Sequence, residues 1–375
     1  MERHADVAVV GGGIVGLTAA YELAKAGLTV EVLDRGPLGA EASWAGAGII
    51  PPGNPERAAT PIDKLRALGS VGMPQLVDEL RERTGIDTGY RRCGGIEFLH
   101  HDDDVADLWR AEGIPFDELS SPGLAEVEPA ATSFPGTPYL LPTCAQVRNP
   151  WHIRALIAAC ERLGVRLRPH TPVNSWATTG RRVTGVQTGD GVVSAGTCIL
   201  AAGAWSKGFL ASLGHATGVH PVRGQIILFR QPTPGIARVL MTGKRYFVPR
   251  SDGRVLVGST EEPEAAFEKR TTPEGVAELL AFTTSVIPAW ATAEVEATWA
   301  GLRPGSADGL PYLGPVPGWD GVVVATGHFR AGVQLSVGTA RVLVELLTGK
   351  PTCVPLSAFA LDRVPDRTTR PAFRS

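Results

Sequence analysis

At 375 residues the chain can bury a large core and divide into two domains. A formal net charge of −2 leaves no basic footprint for a nucleic-acid partner, and 6% aromatics are too few for base-stacking platforms. Five cysteines (Cys93, Cys144, Cys160, Cys198, Cys353), none in a CxxC pair, exclude a redox dithiol and fit free thiols in a reducing compartment. No run of about 18 apolar residues occurs, and the first strand starts close to Met1. A soluble cytoplasmic protein without a membrane partner or metal site is expected.

The first unit reads strand, glycine turn, helix, strand and acid. Residues 7–10 are apolar, Gly11-Gly12-Gly13-Ile14-Val15-Gly16 follows, a helix runs to Ala26, and residues 28–34 end in Asp34. Gly11 permits the tight turn, Gly13 lets backbone approach a pyrophosphate, and Gly16 lets the helix pack close on the sheet. The helix N-terminus offers unsatisfied N–H donors and a positive dipole end to phosphate. Asp34 stands where a ribose hydroxyl would be accepted. A plain βαβ unit with glycines in its turn is the competing reading, and the full combination disfavours it.

Residues 36–55 read as loop, with a small-residue run at 40–49 suited to close approach of a ligand. Helical spacing covers 61–83. A short strand is expected at 96–99, a short helix at 105–112, and turns over 122–142. Asn149-Pro150 starts a helix that stops at Gly164. Strands are expected at 165–167 and 172–176. Gly189-Asp190-Gly191 marks a hairpin between 183–186 and 192–193. Residues 198–203 form a fully apolar strand ending in a small-residue turn, as in a sheet covered on both faces. Further on, 223–229 reads as a strand, 246–249 and 254–257 pair across Ser251-Asp252-Gly253, 273–290 reads as a helix and 297–302 as a strand. The last unit is a strand at 321–325, a turn at 326–332 and an apolar helix to Leu347.

Stretches of α/β character (1–85, 143–220 and 305–375) thus alternate with β-rich ones (86–142 and 221–304). The expected fold class is α/β: a Rossmann-like, discontinuous cofactor domain interleaved with an antiparallel β-sheet substrate domain that roofs the cofactor. One strand-linked GxGxxG means that either FAD or NAD(P) is bound, not both. Small-residue turns at Ala201-Ala202-Gly203 and Ala325-Thr326-Gly327 allow two more loops to approach an elongated cofactor. The helix after Gly332 could aim its N-terminus at a reduced flavin's negative charge, an effect of about 1 kcal/mol. A nicotinamide, neutral on reduction, would gain less.

Six segments carry a resemblance: VAVVGGGIVG (7–16), ASWAGAGIIPP (42–52), PVRGQ (221–225), YFVPRSDGRVLVGST (246–260), WAGLRPGSADGLPYLGP (299–315) and GHFRAG (327–332). Spread over nearly the whole chain, they resemble the D-amino-acid oxidase superfamily of FAD enzymes and, within it, the glycine oxidases that supply thiamine-thiazole synthesis. The resemblance implies FAD held by Ile14, Val15, Asp34, Arg35, Ala42, Ser43, Ala47, Gly48, Ile49, Val173 and loop 327–333 (Gly327, His328, Phe329, Arg330, Ala331, Gly332, Val333), beside Gly11, Gly13, Gly16 and Gly203. It makes Arg303 the grip on a substrate carboxylate, with Tyr246 and Arg330 as substrate contacts. Arg303 could otherwise bridge the domain interface, Tyr246 fill a hairpin core and Arg330 face water. His328 is given a backbone role, because hydride transfer from a neutral amine needs no side-chain base.

Relatives that attach flavin covalently use a Cys near 305–311, where this chain has none, so non-covalent FAD is expected. Glu261 could face a substrate amine or water. The expected activity is oxidative deamination of glycine or small amines, giving imine and, with O2, hydrogen peroxide. Homo-oligomers occur in the family. The alternatives are a D-amino-acid dehydrogenase passing electrons to a quinone, a sarcosine-oxidase-like amine oxidase, and a non-enzymatic flavin subunit.

Overall fold

The structure is a computed structural model and describes residues 4–100 and 103–365. The ends of the expected 1–85 and 305–375 stretches, residues 1–3 and 366–375, lie outside the described residues.

Two eight-stranded sheets organise the chain. The first runs in the order Tyr312–Pro315, Val322–Thr326, Gly191–Leu200, Ala5–Val10, Val30–Leu33, Arg166–Arg168, with Arg182–Thr188 and Val173–Thr179 off its path. Ala5–Val10 pairs in parallel with Val30–Leu33 on one side and Gly191–Leu200 on the other. Parallel pairing requires crossovers and apolar cover on both faces. The residues supply both: Val9, Val32, Ile199 and Leu200 are fully buried. Helices Ile14–Lys25, Pro61–Thr84 and Gly332–Leu347 join one core cluster through Leu17, Leu65 and Leu335. The opposite face packs on Trp176, Val183 and Val186 of the hairpin.

The second sheet runs Glu294–Gly305, His220–Arg230, Val255–Gly258, Arg245–Pro249, Val239–Thr242, Gly95–Leu99, Thr137–Leu141, Asp117–Glu118. Most neighbours are antiparallel, but Val239–Thr242 pairs in parallel with Gly95–Leu99 and ties two distant parts of the chain. One face packs Phe98, Phe134, Phe229, Phe247 and Trp290 with Leu279 of helix Pro273–Val286. The other packs Ile226, Tyr246 and Leu256 with Ala47 and Ile49 from the small-residue loop.

Several boundaries differ from the expectations. The helix expected over 273–290 ends at Val286, because Pro288 drives Ile287 out of the helical region (φ −132°, ψ 79°), and a 3-10 turn follows at Pro288–Thr292. The turn-rich 122–142 contains helix Ser121–Val127, capped by Ser120, and strand Thr137–Leu141. Within 36–55, Ala42–Ala45 forms one helical turn, and Ile49–Ile50 pairs with Ala145–Gln146. Residues 192–193 and 198–200, read as parts of two separate strands, belong to one strand, Gly191–Leu200, and the expected strand at 198–203 ends at Leu200, with a 3-10 turn from Gly203. It starts in the hairpin and ends in the parallel sheet.

Candidate active site

A cavity of about 420 Å³ is walled by residues of both sheets, within the size range of small-molecule sites. From the glycine turn and the strand after it, the lining includes Gly11, Gly13, Ile14, Val15, Asp34 and Arg35. The φ of +109° at Gly11 lies in the region that suits glycine, and a Cβ there would meet the Ala201 backbone, with its carbonyl carbon at 2.7 Å. Glycine thus lets two strand ends converge. Gly16 does not line the cavity; a Cβ there would strike the Gly11 carbonyl, so it serves the close helix–strand contact.

Asp34 Oδ2 accepts from the Gly12 amide at 2.8 Å, and Oδ1 accepts from the Gly36 amide at 2.9 Å. A carboxylate offers about four acceptor directions, so a ribose hydroxyl can still be taken. Arg35 lies over the Trp205 ring, 3.7 Å from its centroid. The Ile14 amide donates to Ser43 Oγ at 2.8 Å, which locks the small-residue loop to the helix N-terminus. Ala42, Ser43, Ala47, Gly48 and Ile49 line the cavity from that loop, and Val173 and Gly203 from the parallel-sheet side. Asn149 Nδ2 donates to the Ser43 carbonyl at 2.7 Å. Arg250, whose burial lowers its guanidinium to about 10, donates to the Ala47 carbonyl at 2.8 Å.

A helix N-terminus, two glycines of close approach and an acid with spare lone pairs fit the pyrophosphate and ribose of an adenine dinucleotide. From loop 327–333, His328, Phe329, Arg330, Gly332 and Val333 also line the cavity, with Gly332 beside Ile14. Gly327 instead packs on Tyr312 and Pro311, and Ala331 is buried in the core.

The roof follows from strand alternation. Residues spaced by two share a sheet face. Tyr246 pairs with Gly258, Gly258 with Ile226, and Val222 with Arg303. Tyr246, Ile226, Gly224, Gly301 and Arg303 therefore share the face that lines the cavity. Glycines make room on it. A Cβ at Gly224 would overlap the Arg303 guanidinium, and one at Gly258 would lie 2.7 Å from the Tyr246 hydroxyl. Arg303 is fixed by donating to the Thr260 carbonyl at 3.1 Å and to Ser259 Oγ at 2.6 Å.

Arg330 donates to Glu261 Oε2 at 3.3 Å and to the Lys244 carbonyl at 2.9 Å. Burial, then the nearby Arg303 charge, lower its guanidinium to about 10. Burial alone would raise the Glu261 carboxyl, but Lys244, Arg330 and Arg303 outweigh it and hold the carboxyl below the ordinary range. Glu261 is thus an ion-pair partner of Lys244 and Arg330. His328 Nε2 lies 3.0 Å from Thr339 Oγ1, and burial pushes the imidazole down to about 4, so it is neutral at ordinary pH.

The structure brings Tyr246, Arg303 and Arg330 to one cavity with the glycine turn and Asp34. Sequence reasoning missed Trp205, Phe209, Gly224, Gly301 and Gln334, which also line it. For Gly224 and Gly301 the signal was available: glycine inside a strand marks close approach of another group.

The chain matches the family model "DAO: FAD dependent oxidoreductase" over residues 6–346. It is 38% identical to a glycine oxidase of Pseudomonas aeruginosa over 94% of this chain and 98% of that protein. It is 32% identical to a bifunctional ThiO/ThiG protein of Synechocystis, covering 100% of this chain and 56% of that protein. A crystal structure of glycine oxidase from Geobacillus kaustophilus superposes with a TM-score of 0.89 at 33% identity, covering 96% of this chain and 99% of that one.

Proposed function

The chain belongs to the DAO family of FAD-dependent oxidoreductases, and from that premise we propose that it is a glycine oxidase acting on glycine and small amines. The observation that carries this is the Arg303 guanidinium, seated over Gly224 and facing the same cavity as the Gly11–Asp34 turn. When bound, FAD supplies a two-electron acceptor that O2 reoxidises to yield hydrogen peroxide. The parallel-sheet half (1–85, 143–220, 305–375) holds the cofactor, and the second sheet (86–142, 221–304) forms the substrate roof. None of the five cysteines lines the cavity, which supports non-covalent FAD.

In this reading Arg303 takes the substrate carboxylate in a forked, charge-assisted pair and fixes the α-carbon. The Tyr246 hydroxyl donates to the same carboxylate. The positive charges of Arg303 and Arg330 in the cavity disfavour a bound ammonium, so glycine binds as the neutral amine, its proton lost to bulk water, and presents a lone pair. His328, neutral and tied to Thr339, removes no substrate proton. The chemistry therefore rests on binding, orientation and local charge. The imine product suits supply to thiazole formation, a reading supported by the relative named ThiO/ThiG. The free thiols support a reducing, cytoplasmic setting.

The test is a substrate panel with the FAD-loaded protein. Glycine, sarcosine, D-alanine and D-proline are supplied in air and peroxide is measured. Glycine turnover with equimolar peroxide is expected. Flavin reduction without peroxide would instead indicate a dehydrogenase.

A further inference from the structure

Strand Val255–Gly258 runs out into Ser259, Thr260 and Glu261, and these three consecutive residues seat two arginines of the cavity. Ser259 Oγ and the Thr260 carbonyl accept from Arg303, and Glu261 Oε2 accepts from Arg330 at 3.3 Å. Arg303 and Arg330 are the charged residues that line the cavity from the roof and from loop 327–333. The Arg330 side chain is 7% exposed and that of Glu261 22%, whereas Lys244, 2.7 Å from Glu261 on its other side, is 65% exposed. Charge thus alternates inward from Lys244 to Glu261 to Arg330, and Arg303 is close enough to act on both Glu261 and Arg330. Two other charges beside this segment are matched elsewhere: Arg245, on the strand face opposite Tyr246, pairs with Glu278, and Glu262 pairs with Arg223.

Solvent screens the exposed Lys244, so the charges that a bound ligand feels most are the three further in. Two guanidiniums against one carboxylate leave one positive charge in excess. A ligand with one negative charge balances it: an amino acid with a single carboxylate and a neutral amine. A second carboxylate would bring excess negative charge into a buried site beside Glu261, where an unbalanced charge is costly. We infer that Glu261 is a specificity-determining residue, whose carboxylate between Arg330 and Lys244 sets the charge of the site for monocarboxylate amino acids and against dicarboxylates. The inference rests on the reading of this cavity as the amino-acid site. Glu261 does not line the cavity, so it acts through Arg330 and through its field, as a positioning residue. Specificity of this kind comes from a penalty on the wrong ligand as much as from attraction to the right one. A neutral residue at 261 would leave the charge of both guanidiniums to the ligand, and a dicarboxylate would then be balanced.

The experiment measures inhibition of glycine turnover in the FAD-loaded protein by malonate and by its monoamide, malonamate, at about pH 8, where both malonate carboxylates are ionised. The two ligands are close in size and shape and differ by one charge. Each affinity is checked against the change that the ligand makes in the visible flavin spectrum. The wild type should bind malonamate about tenfold or more tightly than malonate. Glu261→Gln, which keeps the size and an acceptor oxygen for Arg330, should bind the two within about threefold of each other. Lys244→Met, which removes an exposed charge and keeps the backbone carbonyl that Arg330 uses, should retain the wild-type preference. A packing role for Glu261 would weaken both ligands alike, so an unchanged ratio in Glu261→Gln overturns the inference. Equal affinity of the wild type for both ligands overturns it whether or not Glu261→Gln folds. So does loss of the preference in Lys244→Met, which would place the effect in the surface pair. Absence of glycine turnover overturns the proposed function itself.

Discussion

Replacing Arg303 by alanine removes the group proposed to grip the substrate carboxylate. Two of its five N–H donors are used by Thr260 and Ser259, so a forked pair remains for a carboxylate. A hydrogen bond to a charged group is worth about 1.5–3 kcal/mol, so the fork contributes about 3 kcal/mol or more. At about 1.4 kcal/mol per tenfold, Arg303→Ala should lower kcat/KM for glycine roughly a hundredfold. Arg303→Lys keeps the charge without the fork and should recover only part of this. The assay is peroxide formation across glycine concentrations, with bound FAD measured on each sample from its visible absorbance. FAD content should be normal, because Arg303 belongs to the roof. An Arg303→Ala protein that is fully loaded and within about threefold of wild-type kcat/KM would refute the reasoning.

Other consequences follow from the same contacts. Gly224→Ala puts a methyl where the Arg303 guanidinium lies, so kcat/KM should fall about tenfold with FAD content unchanged; retained activity would show that Arg303 needs no such space. His152 is fully buried, neither ring nitrogen has a partner, and burial lowers it from 6.5 to about 4. Between those values the unfolded chain binds the proton and the native one does not, so acid removes up to about 3 kcal/mol of stability. His152→Leu should therefore shrink the fall in Tm from pH 7 to pH 5; an unchanged fall contradicts it. Arg363 grips the buried Asp308 with two bonds of 2.8 Å, and its charge with the Leu310 amide overcomes burial to hold that carboxyl below its ordinary value. Arg363→Ala should cost about 3 kcal/mol at pH 7. A lowered carboxyl stabilises above its unfolded value, so the Tm gap to wild type should close as pH falls below about 4; a gap constant with pH argues against the ion pair.

The dinucleotide turn was legible because all its information is local: Gly11, Gly13, Gly16 and Asp34 act within one βαβ unit. Arg303 and Tyr246 were legible only through the resemblance, since nothing nearby in sequence says that Gly224 and Gly258 face them across neighbouring strands. Long-range pairing was the main loss. Val239–Thr242 gains its strand character by lying parallel to Gly95–Leu99, and no local pattern announces that. Tyr312–Pro315, next to Pro311 and ending in Pro315, was given no element from sequence, yet it is an outer strand of the first sheet, where Pro is tolerated. Pro288 was a helix stop visible in sequence and passed over.

One measurement tests the central claim most directly. The FAD-loaded protein is mixed with glycine in the absence of O2, its visible absorbance is followed, and air is then admitted. Loss of the oxidised flavin bands on glycine addition, their return on aeration and one equivalent of hydrogen peroxide are the predicted result. A flavin that stays oxidised in glycine, or that reoxidises without releasing peroxide, would contradict the account.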